Sequence, residues 1–233
     1  LQALAIPPAW TDVWISPFPN GHIQATGRDA EGRQQYIYHP FWVQRMSREK
    51  FDRALELAAV LPSARGMITR SLRTEDPSRD RVLAGAFRML DAAKLRVGSE
   101  EYARTHGSIG LSTLRGAHAR VQAGTTVLLA FPGKSGQDWS SEVEDEDLAR
   151  LIAQLKRRGP RARLLSWQEA DRWIPASEAE INDYIRDTSA GLDFGTLRPH
   201  APNWFTSLVT MTRNLGAMPL AGDNSAHLIS DYQ

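Results

Sequence analysis

A lysine in a glycine-rich phrase, Lys134 in FPGKSG, is the first side chain of this chain that could do chemistry. Gly-Lys-Ser can end a phosphate-cradling loop, but the GxxxxGK[ST] pattern needs glycine at 128, where Leu128 stands, and no helix plainly follows Ser135. Nucleotide hydrolysis is not indicated. The six histidines, His22, His39, His106, His118, His200 and His227, show no HExxH or comparable spacing. The acids of VEDEDL read as the first turn of a helix, so no metal site is expected. Neither GxSxG nor GxGxxG occurs. Zero cysteines exclude a thiol nucleophile, a Cys-ligated zinc, an iron–sulfur cluster and a disulfide framework, and suit a reducing cytoplasm. Arg96 and the paired rings Tyr36 and Tyr38 remain. Taken alone, each has a plain reading: Arg96 as a cation beyond a helix end, Lys134 as a solvated turn residue, the two rings as the cover of a small core.

The elements that must position these groups change character along the chain. Up to about residue 44, short runs such as DVWIS, HIQAT and QYIYH alternate with Pro17, Pro19, Gly21 and Gly27, which predicts hairpins. In QQYIYHP the period of a strand puts Tyr36 and Tyr38 on one face, alternating with Gln35 and Ile37. From Ser47, Phe51, Leu55, Ala58 and Leu61 recur at helical spacing, and Pro62 is expected to stop the run. A second helix is predicted from Ser78 or Arg79 to about Lys94, with Val82, Leu83, Ala86, Phe87 and Leu90 as its apolar stripe. SEEYARTHG reads as a short helix closed by Gly107, and VQAGTTVLLAFPGKSGQDWSSEV as three strands joined by turns, the second carrying Lys134. DEDLARLIAQLKRRG has acids in its first turn, bases in its last and Gly159 as terminator; SEAEINDYIRD carries a capping box, Ser177 with Glu180.

Length and charge set outer bounds. A chain of 233 residues suits one large domain or two small ones, and 42% hydrophobic with 24% charged residues is ordinary globular composition. No apolar stretch approaches the roughly 18 residues of a membrane span, and LQALAIPPAW lacks the form of a secretory signal. Lys and Arg number 28 against 27 Asp and Glu, so a polyanion-binding surface would have to come from segregated charge. The chain opens on Leu1, which points to a natural start further upstream.

Three phrases carry a family resemblance. ALAIPPAWTDVWISPFPNGHIQATGRDAEGRQQYIYHPFW, LRVGSEEYARTHGSIGLSTLRGAH and the FPGKSG turn, in that order, resemble the bacterial and poxvirus-like type IB DNA topoisomerases over about residues 3–194. The resemblance implies an α+β chain: an incomplete β-rich N-terminal DNA-clamp domain over 1–45 and a larger, mostly helical catalytic domain over 46–194, with Lys134 on a β-hairpin. It implies a monomer acting on double-stranded DNA in the bacterial nucleoid. Such enzymes relax supercoils by nicking one strand through a tyrosine that becomes a 3′-phosphotyrosine, needing neither ATP nor metal. The bridging phosphotyrosine keeps the energy of the phosphodiester, so resealing needs no fuel. Fixed guanidinium groups favour the more negative transition state over the ground state, and a positioned acid must protonate the departing 5′ oxygen. By position, Arg96 resembles the first transition-state arginine and Lys134 the general acid. Gln35, Tyr36 and Tyr38 resemble residues that touch base edges and backbone in the major groove, and Tyr102 a further DNA contact.

After Phe194 the phrases depart from the family. DFGTL stands for a DFRTW-like phrase, placing Gly195 at the second catalytic arginine, and LGAMP places Ala217 at a His or Asn. The residue nine further on, where the nucleophile belongs, is Ala226. Tyr232, the last tyrosine, is the remaining candidate nucleophile, although its place at the chain end also fits an unstructured residue. Arg198 or Arg213 could stand in for the missing arginine, though neither lies in a matching phrase. Residues 195–233 thus read as a divergent tail, degenerate or out of frame. Two alternatives stand beside the topoisomerase reading: a non-catalytic duplex-binding remnant, and a tyrosine recombinase, against which IPPAWTDVWIS argues.

Overall fold

In the computed structural model, residues 4–133 and 138–189 are described, with Lys50, Arg53, Tyr102 and His106 described by backbone alone. The protein is α+β. Its described residues fall into two compact units, one ending at Asp52 and one starting at Arg53.

In the first unit, β1 (Thr11–Ile15), β2 (Ile23–Arg28) and β3 (Gln34–Tyr38) form an antiparallel sheet in the order β1-β2-β3. Asp29 builds the β2–β3 turn: its Oδ1 accepts from the backbone of Glu31 at 3.1 Å and of Arg33 at 2.9 Å, and Gly32 takes the left-handed φ of +73°. Ala25 is fully buried, and Gly27 lies so close to Trp10 that a Cβ would sit 2.6 Å from the indole Cε3. The facing side carries a cross-strand row, Trp14 opposite Thr26 and Thr26 opposite Tyr36. Tyr38 stacks on Tyr36 with centroids 6.0 Å apart. The rings share a face, as strand alternation requires, but Tyr36 is 47% exposed. The expectation that it covers a core is therefore corrected: the small core lies on the Ala25 and Gly27 side.

Helix α1 (Pro40–Leu72) gives its first part to this unit and its remainder to the second. It starts well before Ser47 because Pro40 suits a first helical position and His39 caps it, Nδ1 accepting from the Phe41 amide at 3.1 Å. It also runs through Pro62. That proline is exposed, so the carbonyl it leaves without a donor can turn to water. The buried stripe is Ala54, Leu57, Leu61, Ala64, Ile68 and Leu72, whereas Phe51 and Leu55 are exposed. The predicted stripe followed the larger side chains; the close-packed face follows alanines at the right spacing.

In the second unit, α2 (Arg79–Ala93) is buried on nearly every side, beyond the stripe that its sequence predicts. Ser78 caps it and Lys94 closes it at φ +55°. Phe87, Leu83 and Leu90 of α2 belong to one core with the second part of α1, with Leu148, Leu151 and Ile152 of α4 (Glu146–Lys156), and with Ile181 and Ile185 of α5 (Glu178–Thr188). Gly85 lets α4 approach closely, since a Cβ there would lie 2.5 Å from Leu151 Cδ2. The predicted capping box of Ser177 and Glu180 forms. α3 (Glu100–His106) ends at Gly107, φ +66°. β4 (Ala119–Gln122), β5 (Thr126–Pro132) and β6 (Asp138–Glu144) make an antiparallel meander whose Val127, Leu129, Phe131 and Val143 join the core. A hairpin of β7 (Ser166–Glu169) and β8 (Arg172–Pro175), not among the elements expected from the sequence, precedes α5.

Candidate nucleic-acid interface

Arg96 lies between two buried anchors, Leu95 and Val97, while its own side chain is exposed. Strand-like alternation after α2 therefore turns the guanidinium to the surface. The backbone around it is laced to the 109–112 segment. The amide of Leu111 donates to the Arg96 carbonyl at 2.9 Å, that of Ser112 to Val97 at 2.8 Å, and the Ser112 hydroxyl to the Gly98 carbonyl at 3.0 Å. Two glycines permit this: a Cβ on Gly110 would lie 2.5 Å from the Gly98 Cα, and Gly98 itself has φ +71°. One residue before Gly110, the Ile109 amide donates to the Pro132 carbonyl at 3.0 Å, at the last residue of β5. Two of the phrases singled out in the sequence, one around Arg96 and one ending β5, are thus fixed to a common backbone joint.

Arg163 ties into this joint, and His118 into the turn that follows it. His118 Nδ1 accepts from the Arg115 amide at 3.1 Å, which requires that nitrogen to be unprotonated. Burial first, and the Arg115 charge second, hold its pKa below the ordinary imidazole value. Arg163 donates to the Ser112 carbonyl at 3.0 Å and pairs with Glu100. Deeper in the unit, Asp145 caps α4 through the Leu148 amide at 2.8 Å and binds Arg88 of α2 at 2.6 Å, and Arg88 reaches Thr69 of α1 at 2.6 Å.

The other candidate residues are placed as follows. Tyr36 and Tyr38 stand on the open sheet face of the first unit, with half-exposed Trp14 in the same cross-strand row as Tyr36. Gln35 alternates to the opposite face, where its Nε2 donates to Asp29 Oδ2 at 2.7 Å. The carboxyl of Asp29 sits below the usual range: burial raises it, but hydrogen bonds from Arg33 and Gln35 and the Arg33 charge outweigh that. Tyr102 is on α3, with only its backbone described. Lys134, Gly195, Arg198, Arg213, Ala217, Ala226 and Tyr232 lie outside the described residues. Tyr184, on α5, is pushed up to about 12 by burial and then by Asp80, so its phenol stays protonated near neutral pH. Sequence reading did not single out Trp14, although its place in the alternating DVWIS run was the available signal.

Comparison with known proteins bears on both units. Residues 42–230 match the family model of the eukaryotic DNA topoisomerase I catalytic core, and residues 1–29 that of the bacterial DNA topoisomerase IB N-terminal domain. The chain belongs to the type IB DNA topoisomerase family. A relative from Acanthamoeba polyphaga mimivirus, DNA topoisomerase 1B, is 32% identical over 193 residues, covering 80% of this chain and 56% of the relative. The chain therefore spans little more than half the length of that topoisomerase. The match to the catalytic core runs on to residue 230, past residue 194, where the resemblance read from the phrases stops.

Proposed function

We propose that this chain engages duplex DNA as a type IB topoisomerase body whose reaction is relaxation of supercoils by transient cleavage of one strand. In that reaction a tyrosine oxygen, with Tyr232 the candidate, bonds to a backbone phosphorus as the bond to the 5′ oxygen breaks. The phenolic proton is lost and Lys134 delivers one to the departing oxygen, leaving a 3′-phosphotyrosine and a free 5′ hydroxyl; the reverse step reseals the strand. Arg96 stabilises the extra negative charge at phosphorus. The observation that supports this reading is the backbone joint, which anchors the exposed Arg96 and the end of β5, two residues short of Lys134, to a single segment. The aromatic face of Trp14, Tyr36 and Tyr38 supports a role in gripping DNA.

A second reading, a clamp that holds duplex without cutting it, is favoured by Gly195, Ala217 and Ala226 at positions where the family carries donors and the nucleophile. Loss of one such donor commonly costs about 10² to 10³ in rate. Relaxation of a supercoiled plasmid in EDTA without ATP, with an SDS-quenched aliquot probed for protein-linked DNA, separates the two. Relaxation with an adduct that Tyr232→Phe abolishes is the outcome expected for the first. Salt-sensitive binding without relaxation or adduct would establish the second and overturn the catalytic reading.

A further inference from the structure

The chain is nearly neutral, with a formal charge of +1, yet its charges are not evenly spread. Residues 114–122 and 155–168 together carry Arg115, Arg120, Lys156, Arg157, Arg158, Arg161 and Arg163 and no carboxylate at all. The fold brings these two segments side by side. The Gly116 amide donates to the Ala162 carbonyl at 3.0 Å, Ala117 to Pro160 at 2.9 Å and Leu164 to Leu114 at 2.8 Å, so they form a short antiparallel ribbon. The approach is close enough that a Cβ on Gly116 would lie 2.5 Å from the Gly159 carbonyl oxygen.

Some of these cations are spent inside the fold. Lys156 donates to the Ala119 carbonyl, Arg158 to those of Arg163 and Leu164 while lying over the Trp173 ring, and Arg163 reaches Ser112 and Glu100. Arg115, Arg157 and Arg161 are exposed instead, and so is Arg120 further along on β4. The Arg115 guanidinium reaches the Arg161 carbonyl at 2.9 Å, which sets two cationic residues next to each other. Among the described residues none of the three has a carboxylate partner, whereas Arg65, Arg73, Arg79, Arg150 and Arg186 do. Clustering like charges on a rigid backbone is unfavourable unless a polyanion offsets it.

We propose that this ribbon is a phosphate-binding surface for duplex DNA flanking the segment held at Arg96. This rests on the proposed DNA-binding function and extends it to a second contact. Continuity argues for the same duplex: Leu111 is hydrogen-bonded to Arg96, and Arg115 follows it by four residues, at most about 14 Å of chain. Phosphate contacts of this kind carry no sequence information and contribute through counterion release.

The test measures binding of the full chain to a 40-base-pair duplex from 50 to 300 mM salt, for the wild type and for the double variant Arg157→Gln/Arg161→Gln. Neither guanidinium makes a described side-chain hydrogen bond, so the fold is expected to persist, which circular dichroism checks. Two lost phosphate contacts should lower the slope of log K against log salt by about 1.8 and cost about eightfold in affinity per contact at 0.1 M salt. Arg186→Gln, whose charge Asp183 already offsets, should leave the slope nearly unchanged. An unchanged slope in the folded double variant, or an equal fall in Arg186→Gln, overturns the ribbon proposal while DNA binding stands. A wild-type chain that binds duplex at no salt concentration overturns the DNA reading itself, and the ribbon with it.

Discussion

Replacing Gly110 with alanine probes the joint beneath Arg96 without confounding backbone strain. Gly110 has φ −130° and ψ −179°, an extended conformation open to any residue, so the substitution acts only through the added methyl group. That Cβ would lie 2.5 Å from the Gly98 Cα, 2.9 Å from its nitrogen and 3.0 Å from the Val97 carbonyl oxygen. All three are backbone atoms, so no side chain can swing aside, and the 96–98 segment must retreat. Overpacking of this kind costs about 1–3 kcal/mol. Weakening the bonds from Leu111 to Arg96 and Ser112 to Val97 adds about 0.5–1.5 kcal/mol each. A loss of about 2–6 kcal/mol is expected in the urea unfolding transition of the second unit. Two comparisons isolate the cause. Gly107→Ala, at φ +66° with nothing within 4 Å, should cost only the left-handed conformation, about 1–2 kcal/mol. Gly98→Ala, at φ +71° with its Cβ 2.7 Å from the Gly110 Cα, carries both penalties and should be the worst of the three. If Gly110→Ala costs no more than Gly107→Ala, the close approach is not what holds the joint.

Asp145→Ala removes the α4 cap and leaves the Arg88 charge, mostly buried, without its carboxylate, so a loss of about 3–5 kcal/mol is expected in chemical denaturation. His118 binds its proton less readily folded than unfolded, so the unfolded chain takes up more protons as pH falls below the ordinary 6.5. Stability should therefore decline from about pH 6.5 through the lowered folded value and then level off in this contribution; in His118→Gln that component of the decline should vanish, as urea midpoints across pH would reveal. Trp14→Ala and Tyr36→Ala should leave the unfolding midpoint almost unmoved, because both rings are about half exposed. Each should weaken duplex binding about fivefold, the ~1 kcal/mol typical of an aromatic contact, read by fluorescence anisotropy.

The parts of the fold that sequence made legible are those written in local chemistry. Ser78 and Ser177 as caps, Gly107 and Gly159 as stops, and the strand–turn–strand pattern around VQAGTTVLLAFP all specify their conformation within a few residues. α1 was less legible, because whether Pro62 ends a helix depends on which face meets water, and which face packs depends on alanines that hydrophobicity alone ranks low. The site divides in the same way. Arg96 and the β3 tyrosines could be picked out only as parts of longer phrases, since an exposed arginine and alternating rings have commonplace explanations on their own. The lacing of Arg96 to Leu111 and of Ile109 to Pro132 joins positions far apart in sequence, and no periodicity encodes such a pairing. The arginine ribbon was hidden by an overall balance of charge that says nothing about where the charges gather.

The enclosure of α2 has a consequence for how the second unit opens. A helix buried along almost its entire circumference, from Arg81 to Ala93, cannot fray or swing out while its surroundings stay in place. Solvent reaches its central amides only when α1, α4 and α5 let go together. Hydrogen exchange there should report the global unfolding free energy, whereas the short α3, seven residues ending at Gly107, should exchange through far cheaper local openings. The unit would then behave as one cooperative block around α2, and proteolysis of the native protein would begin elsewhere.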